Sequence, residues 1–194
     1  MLCKKLNHAA FRCKDAVETV KFYTQVLGLK FSHAMGEDHV PSTGKYSPHI
    51  HILLEMEDRS SIAFFECPQD PGKLKDLESP DWIQHFAFEV ESVETVLKAK
   101  SDLQTRGIEV VGPTHHDGFI TSIYFFDPSG HRLELTARTC DASRYAVFER
   151  EAPEILALWK ETHDWSQRAK IYGAQTGYKR ATDSSHEQAG KQAS

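Results

Sequence analysis

The feature that most constrains the fold is an internal repeat. The tetrapeptide Val-Glu-Thr-Val occurs at positions 17–20 and again at 93–96, 76 residues later. Nearly the same spacing relates His8 to His85. A repeat of this length is one supersecondary unit that cannot bury its apolar face alone. The two copies are therefore expected to fold as similar modules that pack together.

The first copy predicts the order β-α-β-β-β. Alternation of side chains predicts a strand over 5–12, and Asp15 is a predicted helix N-cap with Glu18 three residues later. Gly28 supplies the left-handed residue that ends the helix. The remaining elements are predicted as strands over 29–34, 49–56 and 61–66, with a long polar loop over 35–48.

The second copy repeats this order. A strand is predicted over 83–90, and Ser92 caps a helix that runs to about Arg106 before Gly107. A short strand over 108–111 and a hairpin complete the module. The fold class predicted is α+β, with two tandem β-α-β-β-β modules forming one curled mixed sheet around a metal site, plus a C-terminal helix.

The module boundaries follow from changes in composition. A Pro-, Asp- and Lys-rich segment separates the copies, and an amphipathic helix is predicted over 153–168. The last residues are polar and poor in apolar side chains, which predicts disorder. The predicted parts are a first module 1–70, a linker 71–81, a second module 82–139, a helical extension 140–172 and a disordered tail 173–194.

Charge and composition exclude several classes of function. The formal net charge is -5 without a strong basic block, so no nucleic-acid partner is expected. No apolar run is long enough to span a membrane, and the N-terminus lacks a signal-peptide core, so a cytoplasmic location is expected. The four cysteines form no C-x-x-C pair and are interpreted as thiols.

The segment 114–134 concentrates groups that can do chemistry. It contains the imidazole of His116, the phenol of Tyr124, an Asp-Pro-Ser-Gly turn at 127–130 and the carboxylate of Glu134. The alternation predicts a strand–turn–strand that carries all of them. The turn is required by the hairpin whatever the activity, and Tyr124 could be an ordinary strand aromatic.

Residues from about Leu6 to Ala137 resemble the vicinal oxygen chelate superfamily. That superfamily includes glyoxalase I, extradiol ring-cleaving dioxygenases, methylmalonyl-CoA epimerase and drug-resistance proteins. Its metal ligands come from the first and last strands of the two modules. By this resemblance the candidate metal ligands are His8, Glu66, His85 and Glu134.

The hairpin is similar to the signature of the extradiol dioxygenases. The resemblance implies an Fe(II) ion held by His8, His85 and Glu134, the facial triad of non-haem iron oxygenases. The remaining coordination positions would accept a catechol-type substrate and O₂. His116 and Tyr124 would then hydrogen-bond the catecholate.

The dioxygenases also place an acid–base histidine in the middle of the first metal-binding module. His51 or His49 matches, and His51 is preferred although both lie on one face of the predicted strand. A histidine suits proton transfer because its pKa lies near neutrality. The implied role is aromatic catabolism by a metal-binding oxidoreductase.

Glu66 keeps an alternative open. If Glu66 binds, four ligands favour a glyoxalase I- or epimerase-like lyase or isomerase that uses a divalent metal. Fe(II) is the expected ion, with Mn(II), Zn(II) and Ni(II) as alternatives. A carboxylate at a strand end could instead be solvated. A third alternative is a metal-free drug-binding protein of the resistance type. Unpaired sheet edges and the extra helix make a homodimer plausible.

Overall fold

A computed structural model describes residues 2–70, 72–116 and 118–163. The predicted tail 173–194 and the end of the predicted C-terminal helix lie outside these residues. Of the helices described, none is long and apolar enough to cross a membrane. The elements in chain order are β1 (His8–Arg12), α1 (Ala16–Gln25), β2 (Lys30–His39), β3 (Tyr46–Glu55), β4 (Ser61–Glu66), β5 (His85–Glu89), α2 (Val93–Thr105), β6 (Val111–His116), β7 (Ile120–Phe126), β8 (Arg132–Arg138) and α3 (Ala142–Thr162).

The first module is a four-stranded sheet in the order β1-β4-β3-β2. β1 pairs with β4 in parallel, and the two other pairs are antiparallel. The apolar strand β4 lies inside the sheet, where Ile62 and Phe64 are buried. α1 begins at Asp15, whose carboxylate accepts a hydrogen bond from the N–H of Glu18 at 2.9 Å, as the capping pattern predicts.

The second module is a sheet in the order β5-β8-β7-β6. The inner strands β7 and β8 are buried along most of their length. Ser92 caps α2 through its hydroxyl, which accepts from the N–H of Thr95 at 3.2 Å, and Gly107 ends the helix region with φ +78°. The predicted α+β class, with two β-α-β-β-β modules and a C-terminal helix, is confirmed as two four-stranded mixed sheets.

Contacts divide the chain into two compact units that do not coincide with the modules. The first unit contains the chain up to Phe88 together with Leu97–Gly112 and Ile123–Leu135. The second contains Glu89–Val96, Pro113–Ser122 and the chain from Thr136. Within the second unit, Phe119 stacks on Tyr145 of α3 and the Arg138 guanidinium lies 4.7 Å from the centroid of that tyrosine ring.

The polar loop predicted over 35–48 is wrong. β2 extends to His39 and β3 starts at Tyr46, so only 40–45 connects two paired strands. β2 is exposed along its whole length. Because neither face is buried, its sequence lacks the alternation of apolar and polar residues that predicts a strand. Cross-strand hydrogen bonds to β3 hold it instead. The short strand predicted over 108–111 is similarly displaced to Val111–His116.

The predicted start of the C-terminal helix is also wrong. α3 begins at Ala142, after an Asp141 cap whose carboxylate accepts from the N–H of Arg144 at 2.8 Å. The predicted helix starts at Pro153, but this residue lies inside α3. Proline lacks an N–H and disfavours the helix interior, which is why the sequence pattern predicted a boundary there.

The turn between β7 and β8 is tied to the first module by buried hydrogen bonds. Asp127 accepts from the N–H groups of Ser129 (2.9 Å) and His131 (2.8 Å) through one oxygen. Its other oxygen accepts from the hydroxyl of Tyr23, on α1, at 3.0 Å. The Ser129 hydroxyl also accepts from the N–H of Lys14 at 3.0 Å. The turn therefore fixes where β8, and the residues on it, lie relative to β1 and α1.

Cys13 is expected to resist alkylation in the folded protein. It is 2% exposed, and burial raises the pKa of its thiol from 9.0 to about 11. The thiolate is the reactive species, so iodoacetamide at pH 8 should label the exposed Cys3 first and Cys13 only after unfolding. Because the folded pKa is raised, the associated stability is intact below pH 9 and declines as pH rises towards 11. Equal labelling rates of Cys3 and Cys13 by mass spectrometry would contradict this packing.

Candidate metal centre

His85 and Glu134 form a close pair on adjacent strands of the second sheet. His85 Nε2 lies 2.8 Å from Glu134 Oε2. The glutamate side chain is buried, with 3% of its surface exposed. Carboxylates are almost never this buried unless they are paired or bind a metal. The predicted association of these two residues is therefore present in the fold.

The hydrogen bond of Nδ1, the ring nitrogen remote from Glu134, determines the tautomer of His85. His85 Nδ1 lies 3.1 Å from the carbonyl oxygen of Ile83. A carbonyl oxygen can only accept, so Nδ1 carries the hydrogen. In a neutral ring Nε2 then presents a lone pair to Glu134. Two acceptors 2.8 Å apart require either a shared proton, on the ring or on the carboxyl group, or a bound metal.

The second oxygen of Glu134 points to the same requirement. Oε1 is buried and has no hydrogen-bond partner among the described residues. A buried polar atom without a partner costs about 1–3 kcal/mol, and more if it is charged. A divalent ion supplies positive charge to such an oxygen, and one carboxylate with one imidazole is a donor set that iron, manganese and zinc accept. The residues present fit a metal.

His8 on β1 has the same tautomeric arrangement as His85. Its Nδ1 lies 2.7 Å from Oδ1 of Asn7, which can accept but not donate. The hydrogen is therefore on Nδ1 and the lone pair on Nε2, the state in which a histidine binds a metal. In both His8 and His85, the two histidines related by the repeat, a neighbouring oxygen therefore determines that Nδ1 carries the hydrogen.

His51 on β3 lies next to His8. The two ring centroids are 6.1 Å apart, and the His51 ring stacks on Phe65 at 3.9 Å with an interplanar angle of 11°. Burial, followed by the charges of His8, His49 and His33, lowers the pKa of His51 below its usual value of 6.5. The ring is therefore neutral at neutral pH and can accept a proton.

The nitrogens of His51 and His49 differ in their surroundings. Nε2 of His51 is buried and without a hydrogen-bond partner in the part of the chain described. Nδ1 of His49 lies 2.6 Å from the carbonyl oxygen of Ser47. His49 and His51 lie on the same face of the strand, so alternation of side chains could not distinguish them. The buried Nε2 of His51 and the contact of its ring with His8 favour His51.

Glu66 has a structural partner. Its Oε2 accepts a hydrogen bond from the N–H of Ala16 at 2.7 Å, which caps the first turn of α1. Cross-strand pairing places His8 opposite Ser61 and His51 opposite Phe65. Side chains alternate along a strand, so Glu66 lies on the other face of β4 from these residues and faces the helix.

Equivalent hydrogen bonds in the two sheets give the structural counterpart of Glu134. The N–H of Cys13, five residues after His8, donates to the carbonyl of Phe65. The N–H of Val90, five residues after His85, donates to the carbonyl of Thr136. Glu134 therefore corresponds to the residue two before Phe65, which is Ala63. This register favours a first module without a carboxylate ligand, and the ligand role of Glu66 stays a prediction.

Tyr124 lies on β7 close to the pair. Its ring is 5.9 Å from the His85 ring in an edge-on arrangement, and the guanidinium of Arg132 lies 4.2 Å from its centroid. His116 is the last residue of β6, in the second unit, and not on the strand that carries Tyr124. The expectation of one strand–turn–strand carrying both residues is therefore wrong, while the roles of both stay predictions.

The structure brings the predicted residues together as two pairs. His85 contacts Glu134, and the rings of His8 and His51 are neighbours. Across residues 2–70, 72–116 and 118–163, no group of three or more His, Cys, Asp or Glu side chains is arranged to hold a metal. Convergence of His8 with the His85–Glu134 pair therefore remains a prediction.

Sequence reasoning missed three residues that shape this site. Asn7 sets the tautomer of His8, Phe65 orients the ring of His51, and Arg132 covers Tyr124. Arg132 could have been found, because it lies two residues before Glu134 on the same strand and therefore on the same face. No sequence signal indicates the stacking of Phe65, which depends on the register between β3 and β4.

Comparison with known proteins gives a family match over most of the chain. The model of the Glyoxalase/Bleomycin resistance protein/Dioxygenase superfamily matches residues 5–135. Metapyrocatechase from a Pseudomonas species is 27% identical over 139 residues, which are 70% of this chain but only 39% of that protein. Metallothiol transferase FosB from Bacillus licheniformis is 25% identical over 158 residues, 77% of this chain and 85% of FosB.

Solved structures agree with this match. A glyoxalase family protein from Enterococcus faecalis has a TM-score of 0.52 at 26% identity, covering 70% of this chain and 99% of that one. The fosfomycin resistance protein FosX from Listeria monocytogenes, solved with Mn(II), has a TM-score of 0.52 at 19% identity, covering 75% and 99%. The second likeness concerns the fold alone.

Proposed function

Since the chain belongs to the Glyoxalase/Bleomycin resistance protein/Dioxygenase superfamily, we propose that it is a metal-dependent enzyme that cleaves a catechol-type ring by extradiol insertion of O₂. The observation that carries the proposal is the His85–Glu134 pair. It consists of a buried carboxylate oxygen and an imidazole Nε2 that lie 2.8 Å apart, and the other carboxylate oxygen lacks a hydrogen-bond partner among the described residues. The proposed ligands are His85, Glu134 and His8.

The number of protein ligands supports the ring-cleaving reaction over a lyase or isomerase. In the first module, Ala63 occupies the position that corresponds to Glu134, so this position offers no fourth ligand. Glu66 accepts a hydrogen bond at the start of α1 instead. Three protein donors leave open positions on an octahedral ion. Fe(II) bound there would hold a catechol and O₂ next to each other and carry electrons between them. The preferred ion is Fe(II), with Mn(II), Zn(II) and Ni(II) as alternatives.

The neighbouring side chains support the proton transfers that this reaction needs. His51 is neutral at neutral pH, because burial lowers its pKa, and its buried Nε2 lies next to His8. It would accept the proton of a substrate hydroxyl and later return it. The phenol of Tyr124, on the His85 side of the site, would hydrogen-bond a substrate oxygen. His116 is proposed for the same task.

Anaerobic reconstitution with Fe(II), followed by catechol and air, is the test. The proposal predicts oxygen uptake and a yellow ring-cleavage product. Glu66→Gln should keep this activity, whereas His51→Gln should lower kcat by about a hundredfold, as loss of an acid–base group does. Absence of oxygen uptake over a panel of catechols, with isomerisation of a glutathione hemithioacetal, would contradict the proposal in favour of the lyase.

A further inference from the structure

A cleft of about 650 Å³ opens next to His85 in the first unit. One side is formed by the linker between the modules, from Lys73 to Gln84, and the other by the ends of β7 and β8. Its volume is in the range that holds small organic ligands. His85 also belongs to the proposed metal centre, so the cleft adjoins that centre at this residue.

The apolar surface of the cleft is aromatic. Phe11 and Phe86 meet edge to face at 4.3 Å, and both line the cleft together with Phe126. Phe11 and Phe126 are 36% and 46% exposed, so a large part of each side chain is available for contact. Aromatic rings pack favourably against other rings in offset or edge-on arrangements. These side chains favour a planar ring as occupant.

The acidic groups of the cleft are already used within the linker. Asp81 forms an ion pair with Lys75 at 2.8 Å. Asp76 accepts hydrogen bonds from the Ser79 hydroxyl, the N–H of Glu78 and the side-chain amide of Gln84. With Lys75 and Asp81 paired, the cleft keeps one negative charge, on Asp76, and two positive charges, on Lys73 and Arg132.

Arg132 is the cation best placed to bind a ligand. It lines the cleft, is half-buried and stacks over Tyr124, which in turn contacts His85. The guanidinium has five N–H donors, and the one hydrogen bond recorded for it within the described chain is a long one, 3.5 Å to the carbonyl of Asp81. Burial strengthens its attraction for an anion, because less water screens the charge.

We propose that this cleft binds an aromatic carboxylic acid and that Arg132 recognises the carboxylate. A guanidinium holds a carboxylate through two parallel hydrogen bonds, a geometry that lysine cannot reproduce. The substrate class rests on the proposed function and is then a catechol that carries a carboxylate. Its ring lies against the phenylalanines and its hydroxyls face His85. Arg132 is a specificity-determining residue.

Calorimetric binding of two matched ligands tests this inference. 3,4-Dihydroxybenzoate and 3,4-dihydroxybenzamide have nearly the same shape and differ in charge. The full-length protein should bind the acid about tenfold or more tightly than the amide, the usual effect of a charge-assisted hydrogen bond. Arg132→Gln should remove that preference, and Arg132→Lys should retain only part of it.

Arg138→Gln is the matched control. Arg138 lies on the same strand and also stacks on a tyrosine, Tyr145, but it does not line the cleft. Its loss should not change the preference for the acid. Equal binding of the two ligands by the wild-type protein, or an unchanged preference in Arg132→Gln, would overturn the inference.

The measurement is made with and without Zn(II), which separates this inference from the proposed function. Recognition of the carboxylate by Arg132 needs no metal, so the preference should be present in both conditions. If the protein binds no metal but prefers the acid through Arg132, the dioxygenase proposal fails and the inference stands. If metal binds but the preference for the acid is missing, the inference about Arg132 fails and the dioxygenase proposal is unaffected.

Discussion

Replacement of Glu134 with glutamine is expected to lower the affinity for Fe(II) or Zn(II) on the order of a hundredfold or more. Loss of a residue that only hydrogen-bonds a metal ligand already lowers metal affinity about ten- to a hundredfold. The amide has nearly the same size but no charge. It therefore removes the anionic donor of the proposed His8, His85 and Glu134 set and leaves the packing of β8 intact. Competition with a chromophoric chelator, in protein purified without added metal, measures the change.

Glu66→Gln is the matched control for this prediction. Glu66 is the other carboxylate proposed by sequence, and it caps α1 through Oε2. Its replacement should leave metal affinity within a factor of about three and slightly lower the stability of the helix. A large loss of affinity in Glu66→Gln with little loss in Glu134→Gln would invert the assignment and favour a lyase-type site.

Asp127→Ala is expected to have the largest effect on stability, about 4 kcal/mol. The substitution leaves three buried donors without an acceptor, namely the Tyr23 hydroxyl and the N–H groups of Ser129 and His131. It also releases the turn from α1, so β8 and Glu134 lose their fixed position. Urea denaturation followed by circular dichroism measures the change in the free energy of unfolding.

Asp15→Ala serves as the comparison for Asp127→Ala. Asp15 also accepts a backbone hydrogen bond, from Glu18, but at an exposed helix N-terminus. Its loss should cost about 1 kcal/mol. If the two variants are equally stable, the buried turn does not contribute to stability in the way that its hydrogen bonds indicate. Asp127→Asn should fall between them, because it keeps the volume of the side chain but loses one acceptor.

Local signals with a physical cause predicted most of the fold. The repeat, the caps at Asp15 and Ser92 and the left-handed Gly28 and Gly107 located both modules and both of their helices. The strands that escaped detection lack such signals. β2 is exposed on both faces, so nothing in its apolar pattern distinguishes it from a loop.

The part of the candidate site that was predicted came from the resemblance to the vicinal oxygen chelate superfamily. His85 and Glu134 were expected to meet and lie 2.8 Å apart. Glu66 was proposed as a ligand from the family resemblance, whereas strand register aligns Glu134 with Ala63. Register depends on hydrogen bonds between distant segments, and a one-residue shift moves a side chain to the other face. Arg132 was missed although it lies two residues before Glu134 on the same face of β8.

The central claim is that His8, His85 and Glu134 hold one cation. Nitrogen-15 NMR of the imidazoles, in protein loaded with Zn(II), tests it most directly. The account predicts that Nε2 of His8 and His85 shifts to the metal-bound range, that Nδ1 of both stays protonated, and that His51 remains without metal. Zinc-induced changes confined to other histidines, or to only one of His8 and His85, would contradict it.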